Sequence, residues 1–106
     1  MARLLIIEDS LELIEIYKDF LKEFDLLFAL EQEEIEPLID QVDLVVCDYH
    51  FNPRLSFEQV RDLIGDRKPL ILCSGEDSKV QQYGGVPKVN IAKQLKPLIN
   101  DLLKTG

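Results

Sequence analysis

Positive charge is scarce in this sequence of 106 residues, in which 12 Lys and Arg stand against 20 Asp and Glu. The net charge of −8 leaves no basic stripe that could neutralise nucleic-acid phosphates or dock on an anionic membrane. The sequence also lacks an apolar run that approaches the roughly 18 residues a membrane span requires. We therefore expect neither nucleic acid nor a membrane among the partners.

Cysteine is also sparse, with only Cys47 and Cys73. Each ends an apolar run, where a free thiol behaves as a small hydrophobic group. No secretion signal precedes the first apolar run, so we expect a cytoplasmic protein with reduced thiols. If the strands that carry the two cysteines are neighbours, their thiols could lie close together.

Five short apolar runs alternate with segments of helical periodicity, without repeats, low-complexity tracts or a linker. The length suits one compact domain spanning residues 1–106. The runs do not alternate apolar with polar residues, which favours strands covered on both faces of a parallel sheet. The predicted strands lie at 4–7, 26–30, 43–47, 69–73 and 86–89. The predicted helices lie at 10–23, 33–40 (broken by Pro37), 56–64 and 91–103, with at most a turn or two of helix within 75–84.

Polar side chains follow four of the five predicted strands. They are Glu8 and Asp9 after the first, Asp48 after the third, Ser74 (followed by Gly75) after the fourth, and Lys88 at the fifth. In a parallel sheet these positions meet at one edge, where ligands bind. Two adjacent acids at a buried strand end cost free energy unless a cation lies beside them. The set therefore indicates a site for a hard divalent cation and a phosphoryl group.

Four segments together resemble the CheY-like receiver domain of two-component response regulators. They are LLIIEDS (4–10), DLVVCDYHFNP (43–53), LILCSGE (70–76) and VPKVN (86–90), and they span nearly the whole chain. The resemblance implies a flavodoxin-like, doubly wound α/β fold whose five parallel strands have the order 2-1-3-4-5. It also implies an acceptor domain for phosphoryl groups rather than a turnover enzyme.

The resemblance implies a role for each residue at this edge. Asp48 would be the phosphoacceptor, attacking a phosphohistidine on a partner. Asp9 and Asp48 would bind Mg²⁺ (or Mn²⁺) directly, Glu8 would bind it through water, and the backbone carbonyl of His50 would be a further ligand. The partners would be a histidine kinase or histidine phosphotransfer protein and a downstream protein target.

Three further residues would handle the phosphoryl group after transfer. Lys88 would pair with Asp48 at rest and with a phosphoryl oxygen afterwards. Ser74 would donate a hydrogen bond to another phosphoryl oxygen, and that shift would be the switch. Gly75 would leave room for the phosphoryl group.

The chain departs from the family pattern in several places. Pro53 stands five residues after Asp48, where the family usually has it four after. Val89 follows Lys88, where the family has a proline joined by a cis peptide bond. Only 13 residues separate Ser74 from Lys88, so the fourth helix must be very short or absent. Gly84 and Gly85 occupy the place of the usual switch aromatic, and we expect an unconventional readout surface.

Other interpretations remain open at this stage. Asp9, Ser10 or Ser74 could cap helices, Asp48 could start an Asx-turn, and Lys88 could be an ordinary surface lysine. The main functional alternative is a degenerate receiver that acts as a docking or dimerisation module without phosphorylation. An aspartate-dependent phosphatase is disfavoured because His50 stands where such enzymes commonly place a second acid. A flavodoxin is disfavoured because no hydroxyl-rich phosphate loop follows the first strand.

Overall fold

A single five-stranded parallel sheet organises the chain, as seen in a computed structural model that describes residues 2–49 and 55–105. The strands are β1 (Arg3–Ile7), β2 (Asp25–Phe28), β3 (Leu44–Asp48), β4 (Leu70–Ser74) and β5 (Val86–Pro87). Their order, β2-β1-β3-β4-β5, confirms the predicted doubly wound topology. The last strand is shorter than predicted, because the chain turns into a helix at Lys88.

In the described part of the chain, four α-helices connect the strands and a fifth follows β5. They are α1 (Leu11–Phe20), α2 (Gln32–Ile39), α3 (Phe57–Ile64), α4 (Asp77–Tyr83) and α5 (Lys96–Thr105). The seven residues of α4 confirm the expectation of a very short fourth helix. None of the helices in the described ranges is long and apolar enough to cross a membrane.

Local signals fix where α1 and α3 begin and where α3 ends. The hydroxyl of Ser10 accepts a hydrogen bond from the N–H of Leu13 and caps α1. Ser56 and Gln59 form a reciprocal capping box at the start of α3. Gly65 ends α3 with a φ of 61°, a conformation that costs glycine least.

Two of the described helices contain a proline, with different consequences. The prediction that Pro37 breaks the second helix is wrong, because α2 continues through it. A capping box between Glu31 and Glu34 and the burial of Ile35 and Ile39 offset the lost hydrogen bond. Pro97 lies in the first turn of α5.

A short 3₁₀-helix (Lys88–Asn90) and a π-helix (Ile91–Leu95) precede α5. The α-helical pattern predicted for 91–103 therefore holds only for its second part. In an α-helix a proline ring clashes with the carbonyl of the fourth residue before it, and for Pro97 that residue, Lys93, lies in the π-helix.

The sheet is buried on both faces, as the unalternating apolar runs predicted. One face, which includes Leu5, Val45 and Leu72, packs against α2 and α3. The other face packs against α1 and α5, and its members include Leu4 and Val46.

The two cysteines lie on neighbouring strands but on opposite faces of the sheet. Cys47 belongs to the core on the α3 side, whereas Cys73 belongs to the core on the α1 side. The register pairs Cys73 with Asp48, one residue beyond Cys47, and side chains alternate along a strand. The expectation that the thiols could lie close together is therefore wrong, and both are free.

Candidate phosphoryl and metal site

The sheet brings the predicted site residues together at its carboxyl edge. Glu8 and Asp9 follow β1 directly, Asp48 and Ser74 are the last residues of β3 and β4, and Lys88 follows β5. The side chains of Glu8, Asp48 and Ser74 are almost fully buried, with exposed fractions of 2%, 5% and 2%. Three polar residues are thus buried at one place, whereas the other buried residues of the sheet are apolar.

An acidic trio, consisting of Glu8, Asp9 and Asp48, forms the first part of the site. Each contributes one carboxylate oxygen to a group whose members all lie within 4.8 Å of one another. Oε1 of Glu8 accepts the N–H of Ser10 at 3.0 Å. Oε2 of Glu8 is buried and has no hydrogen-bond partner among the described residues. Burial, reinforced by the charge of Asp48, raises the pKa of Glu8.

This trio fits a hard divalent cation such as Mg²⁺. Carboxylate oxygens are the ligands that Mg²⁺ prefers, and it commonly takes one or two of them together with water and phosphate oxygens. The buried Oε2 of Glu8 lacks the hydrogen bond that such an atom normally has. A cation, or water bound to it, would supply the missing partner.

Lys88 lies between two of the acids. Its Nζ atom is 3.1 Å from Oδ1 of Asp48 and 3.7 Å from Oε2 of Glu8. Its side chain is only 27% exposed, so it is not an ordinary surface lysine. The peptide bond to Val89 is trans, since the described residues contain no cis bond. Lys88 thus reaches Asp48 without the cis bond of the family pattern.

Asp48 is held from two directions through one oxygen. Oδ1 accepts the backbone N–H of Tyr49 at 2.8 Å and also faces Lys88. Burial raises the pKa of Asp48, and the charge and hydrogen bond of Lys88 oppose that rise.

Ser74 and Gly75 line the side of the site nearest α4. The hydroxyl oxygen of Ser74 accepts the N–H of Glu76 at 3.0 Å, which leaves its own proton available for donation. A Cβ atom on Gly75 would meet nothing closer than Cδ of Lys88 at 4.0 Å. The space between Gly75 and the Lys88 side chain is therefore open.

The structure decides between some of the open local interpretations. Ser10, not Asp9, caps α1, so capping leaves Asp9 unexplained. Ser74 does not cap α4, whose N-cap residue is Glu76. His50 and Pro53 lie outside the described residues, and the predicted carbonyl ligand and loop insertion stay predictions.

Sequence reasoning missed one feature beside the site. Tyr49, Phe57 and Tyr83 form an aromatic group around Glu58, whose Oε2 accepts both tyrosine hydroxyls. The available signal was a tyrosine directly after the proposed phosphoacceptor and another at the end of the shortened fourth helix. Neither predicts that the two would share one carboxylate.

Comparisons with solved structures identify the fold. The signal receiver domain of a Luxo repressor protein from Vibrio parahaemolyticus superposes with a TM-score of 0.79 at 24% identity, over 98% of this chain and 91% of that one. A response regulator receiver domain protein from Clostridium thermocellum gives a TM-score of 0.79 at 20% identity, over 99% and 96%. No protein-family model matches the chain, and no curated protein matches it. The chain has the fold of the CheY-like receiver domains of response regulators.

Proposed function

We propose that this chain is a receiver domain that accepts a phosphoryl group on Asp48 in a Mg²⁺-dependent reaction and signals through protein–protein contacts. One observation carries the proposal: Lys88 Nζ lies 3.1 Å from Asp48, beside an acidic trio in which the buried Oε2 of Glu8 lacks a hydrogen bond among the described residues. A degenerate receiver has no need to retain a costly buried charge cluster of this kind.

Asp48 is the nucleophile in this proposal. Tyr49 and Lys88 both hold Oδ1, so we assign Oδ2 as the oxygen that attacks phosphorus. A bond forms between Oδ2 and phosphorus while the bond from phosphorus to the phosphohistidine nitrogen of the partner breaks, and the electron pair returns to the imidazole. The donor would be a histidine kinase or a histidine phosphotransfer protein.

Glu8, Asp9 and Asp48 are the side chains that would hold Mg²⁺. When bound, Mg²⁺ supplies positive charge that offsets the negative charge gathering on the phosphoryl oxygens. The buried position of Glu8 and Asp48 keeps them in a medium where charge neutralisation is stronger than in water.

The remaining residues act after transfer. Formation of the acyl phosphate removes the charge of the Asp48 carboxylate, so Lys88 gains more by pairing with a phosphoryl oxygen than with the remaining carbonyl oxygen. The Ser74 hydroxyl, whose oxygen already accepts the N–H of Glu76, donates its proton to a second phosphoryl oxygen. Gly75 leaves space for that group because it has no Cβ atom.

Backbone-amide NMR tests the proposal directly. Titration with Mg²⁺ should shift amides at 8–10 and 48–49, and subsequent beryllium trifluoride, a stable mimic of the phosphoryl group, should shift amides at 74, 75 and 88. Asp48→Asn should lose the second response, while Asp66→Asn, at an exposed aspartate after α3, should keep both.

Covalent chemistry gives the second readout. Incubation with phosphoramidate and Mg²⁺, followed by mass spectrometry, should add the mass of one phosphoryl group to wild type and not to Asp48→Asn. If wild type binds neither Mg²⁺ nor beryllium trifluoride and takes up no phosphoryl group, the proposal is wrong. The chain would then be a degenerate receiver that acts without phosphorylation.

A further inference from the structure

We propose that Glu58 is a positioning residue that couples the phosphoacceptor end of β3 to helix α4, through its shared hydrogen bonds with Tyr49 and Tyr83. The inference rests on the proposed phosphoacceptor role of Asp48. It adds a route by which the state of that residue reaches α4. We call Tyr49, Phe57, Glu58 and Tyr83 the clasp.

The clasp joins three parts of the chain at one carboxylate oxygen. Oε2 of Glu58, on α3, accepts the hydroxyl of Tyr49 at 2.9 Å and the hydroxyl of Tyr83 at 2.5 Å. The rings of Tyr49 and Tyr83 stack with centroids 6.3 Å apart. Phe57 lies against both rings, with its centroid 5.0 Å from that of Tyr83 and 6.4 Å from that of Tyr49.

Two cations cover the clasp from outside. Nζ of Lys79 lies 4.7 Å from the centroid of the Tyr49 ring, and the guanidinium of Arg61 lies 5.2 Å from that of Tyr83. Such cation–π contacts favour a fixed ring position. The hydrogen bonds from Tyr83 and Tyr49 lower the pKa of Glu58 to about 2, so the carboxylate is ionised and accepts from both hydroxyls at neutral pH.

Tyr49 connects the clasp to the phosphoacceptor. It follows Asp48 directly, and its N–H donates to Oδ1 of Asp48 at 2.8 Å. Phosphorylation would turn this carboxylate into an acyl phosphate, whose uncharged carbonyl oxygen is a weaker acceptor for that hydrogen bond. The backbone of Tyr49 then loses a fixed partner, and a shift there moves the ring and hydroxyl that meet Glu58.

Helix α4 is well suited to change position when Tyr49 shifts. It has only seven residues, and none of them is buried. A helix with so little buried surface is a low-stability element whose position depends on a small number of contacts. Tyr83, the last residue of α4, donates a hydrogen bond to Glu58 and makes ring contacts with Tyr49 and Phe57.

The test compares how α4 responds to beryllium trifluoride in clasp variants. In wild type with Mg²⁺, beryllium trifluoride should shift the amides of residues 77–84 as well as those at 74, 75 and 88. In Glu58→Gln and in Tyr49→Phe, the shifts at 77–84 should fall at least about twofold, while those at 74, 75 and 88 remain. Tyr49→Phe keeps the ring packing, so it serves if Glu58→Gln does not fold.

Asp62→Asn is the matched control, since it removes one negative charge from an exposed position of the same helix. It should leave the response of α4 at its wild-type size. A reciprocal effect is expected as well, because coupling is mutual: Tyr83→Phe, which frees α4, should change the apparent affinity for beryllium trifluoride by roughly fivefold or more.

The outcomes separate this inference from the proposed function. Shifts at 74, 75 and 88 without shifts at 77–84 in wild type would overturn the coupling and leave the phosphoacceptor role standing. An undiminished α4 response in both Glu58→Gln and Tyr49→Phe would also overturn it. Loss of every response in wild type would overturn both.

Discussion

At the scale of single residues, Glu8 is the clearest case of a side chain whose burial costs stability. Its carboxylate is almost fully buried, and Oε2 lacks a hydrogen bond among the described residues. Lys88, 3.7 Å away, offsets the cost only in part, because it lies closer to Asp48. Burial still raises the pKa of Glu8 despite this cation.

Replacing Glu8 with glutamine should therefore stabilise the metal-free protein and weaken Mg²⁺ binding. The glutamine carbonyl keeps an acceptor for the N–H of Ser10, while the buried charge disappears. We expect a gain on the order of 1 kcal/mol, or about 4 °C in Tm, in the presence of EDTA. Differential scanning calorimetry with EDTA and with Mg²⁺ measures both effects. A lower Tm for Glu8→Gln in EDTA would mean that the attraction of Lys88 outweighs the cost of burial.

The residues of this site were predictable from the sequence, because the positions at which the strands end are themselves predictable. Apolar runs place the last residue of β1, β3 and β4 within about one position, and a parallel sheet gathers those ends at one edge. The clasp was not predictable, because Glu58 and Tyr83 are 25 positions apart. Their contact depends on the length of α4 and on side-chain rotamers, which no local pattern specifies.

At the scale of elements, the close approach of the chain to β4 just before β5 leaves no room for a side chain at Gly85. A Cβ atom on Gly85 would lie 2.5 Å from the carbonyl oxygen of Leu72 and 2.9 Å from its Cβ. Both neighbours belong to a buried strand and cannot move aside cheaply. The sequence pattern marked Gly84 and Gly85 only as the place of a missing aromatic, whereas the packing of Gly85 on β4 gives it a structural reason.

Gly85→Ala should destabilise the fold by about 2–4 kcal/mol, because β5 must move away from β4. Gly65→Ala is the comparison, since Gly65 has a positive φ but a Cβ atom there would meet nothing within 4 Å. It should cost only about 1 kcal/mol. Urea denaturation followed by circular dichroism measures both. Equal losses for the two variants would contradict a steric role for Gly85.

The alternation of side chains along β3 and β4 determines the behaviour of the two thiols. Cys47 and Cys73 are buried on opposite faces, and burial raises the pKa of both, that of Cys73 to about 12. The neighbouring positions of the two strands were predictable. The face of the sheet on which each thiol lies was not, because it depends on the register between the strands, and a shift of one residue reverses the face.

The folded protein should therefore show no fast-reacting thiol and form no internal disulfide. Titration with Ellman's reagent should detect both thiols in about 6 M guanidinium and neither at comparable speed in native buffer, because a buried thiol with a raised pKa is a poor nucleophile. Mild oxidation with diamide should leave the monomer free of an internal bridge on a non-reducing gel. A Cys47–Cys73 disulfide formed under native conditions would contradict the register.

At the scale of the whole molecule, the net charge and the buried carboxyls of the site change the stability of the fold in the same direction as the pH falls. The net charge of −8 produces self-repulsion at neutral pH, and burial raises the pKa of Glu8 and Asp48. A carboxyl whose folded pKa is raised binds its proton more tightly in the native state than in the unfolded state. The fold therefore gains stability as the pH falls through each raised pKa toward the ordinary pKa, which is 4.5 for Glu8 and 3.8 for Asp48. Glu58 acts in the opposite direction, since its contribution is lost only as the pH falls from about 4.5 through its lowered pKa of about 2.

These signs predict that the metal-free protein becomes more stable between pH 7 and pH 5, while the Mg²⁺-bound protein does not. Mg²⁺ binds the ionised carboxylates, so protons compete with it as the pH falls. At 100 times its Kd, Mg²⁺ should add about 2.7 kcal/mol at pH 7 and progressively less toward pH 5.

Urea denaturation at pH 5, 6 and 7, with EDTA or with Mg²⁺, should give two curves that converge at low pH. Glu8→Gln should flatten the EDTA curve, which general charge repulsion alone would not do, and His50→Asn controls for the only histidine. Parallel curves would show that Mg²⁺ does not bind at Glu8 and Asp48.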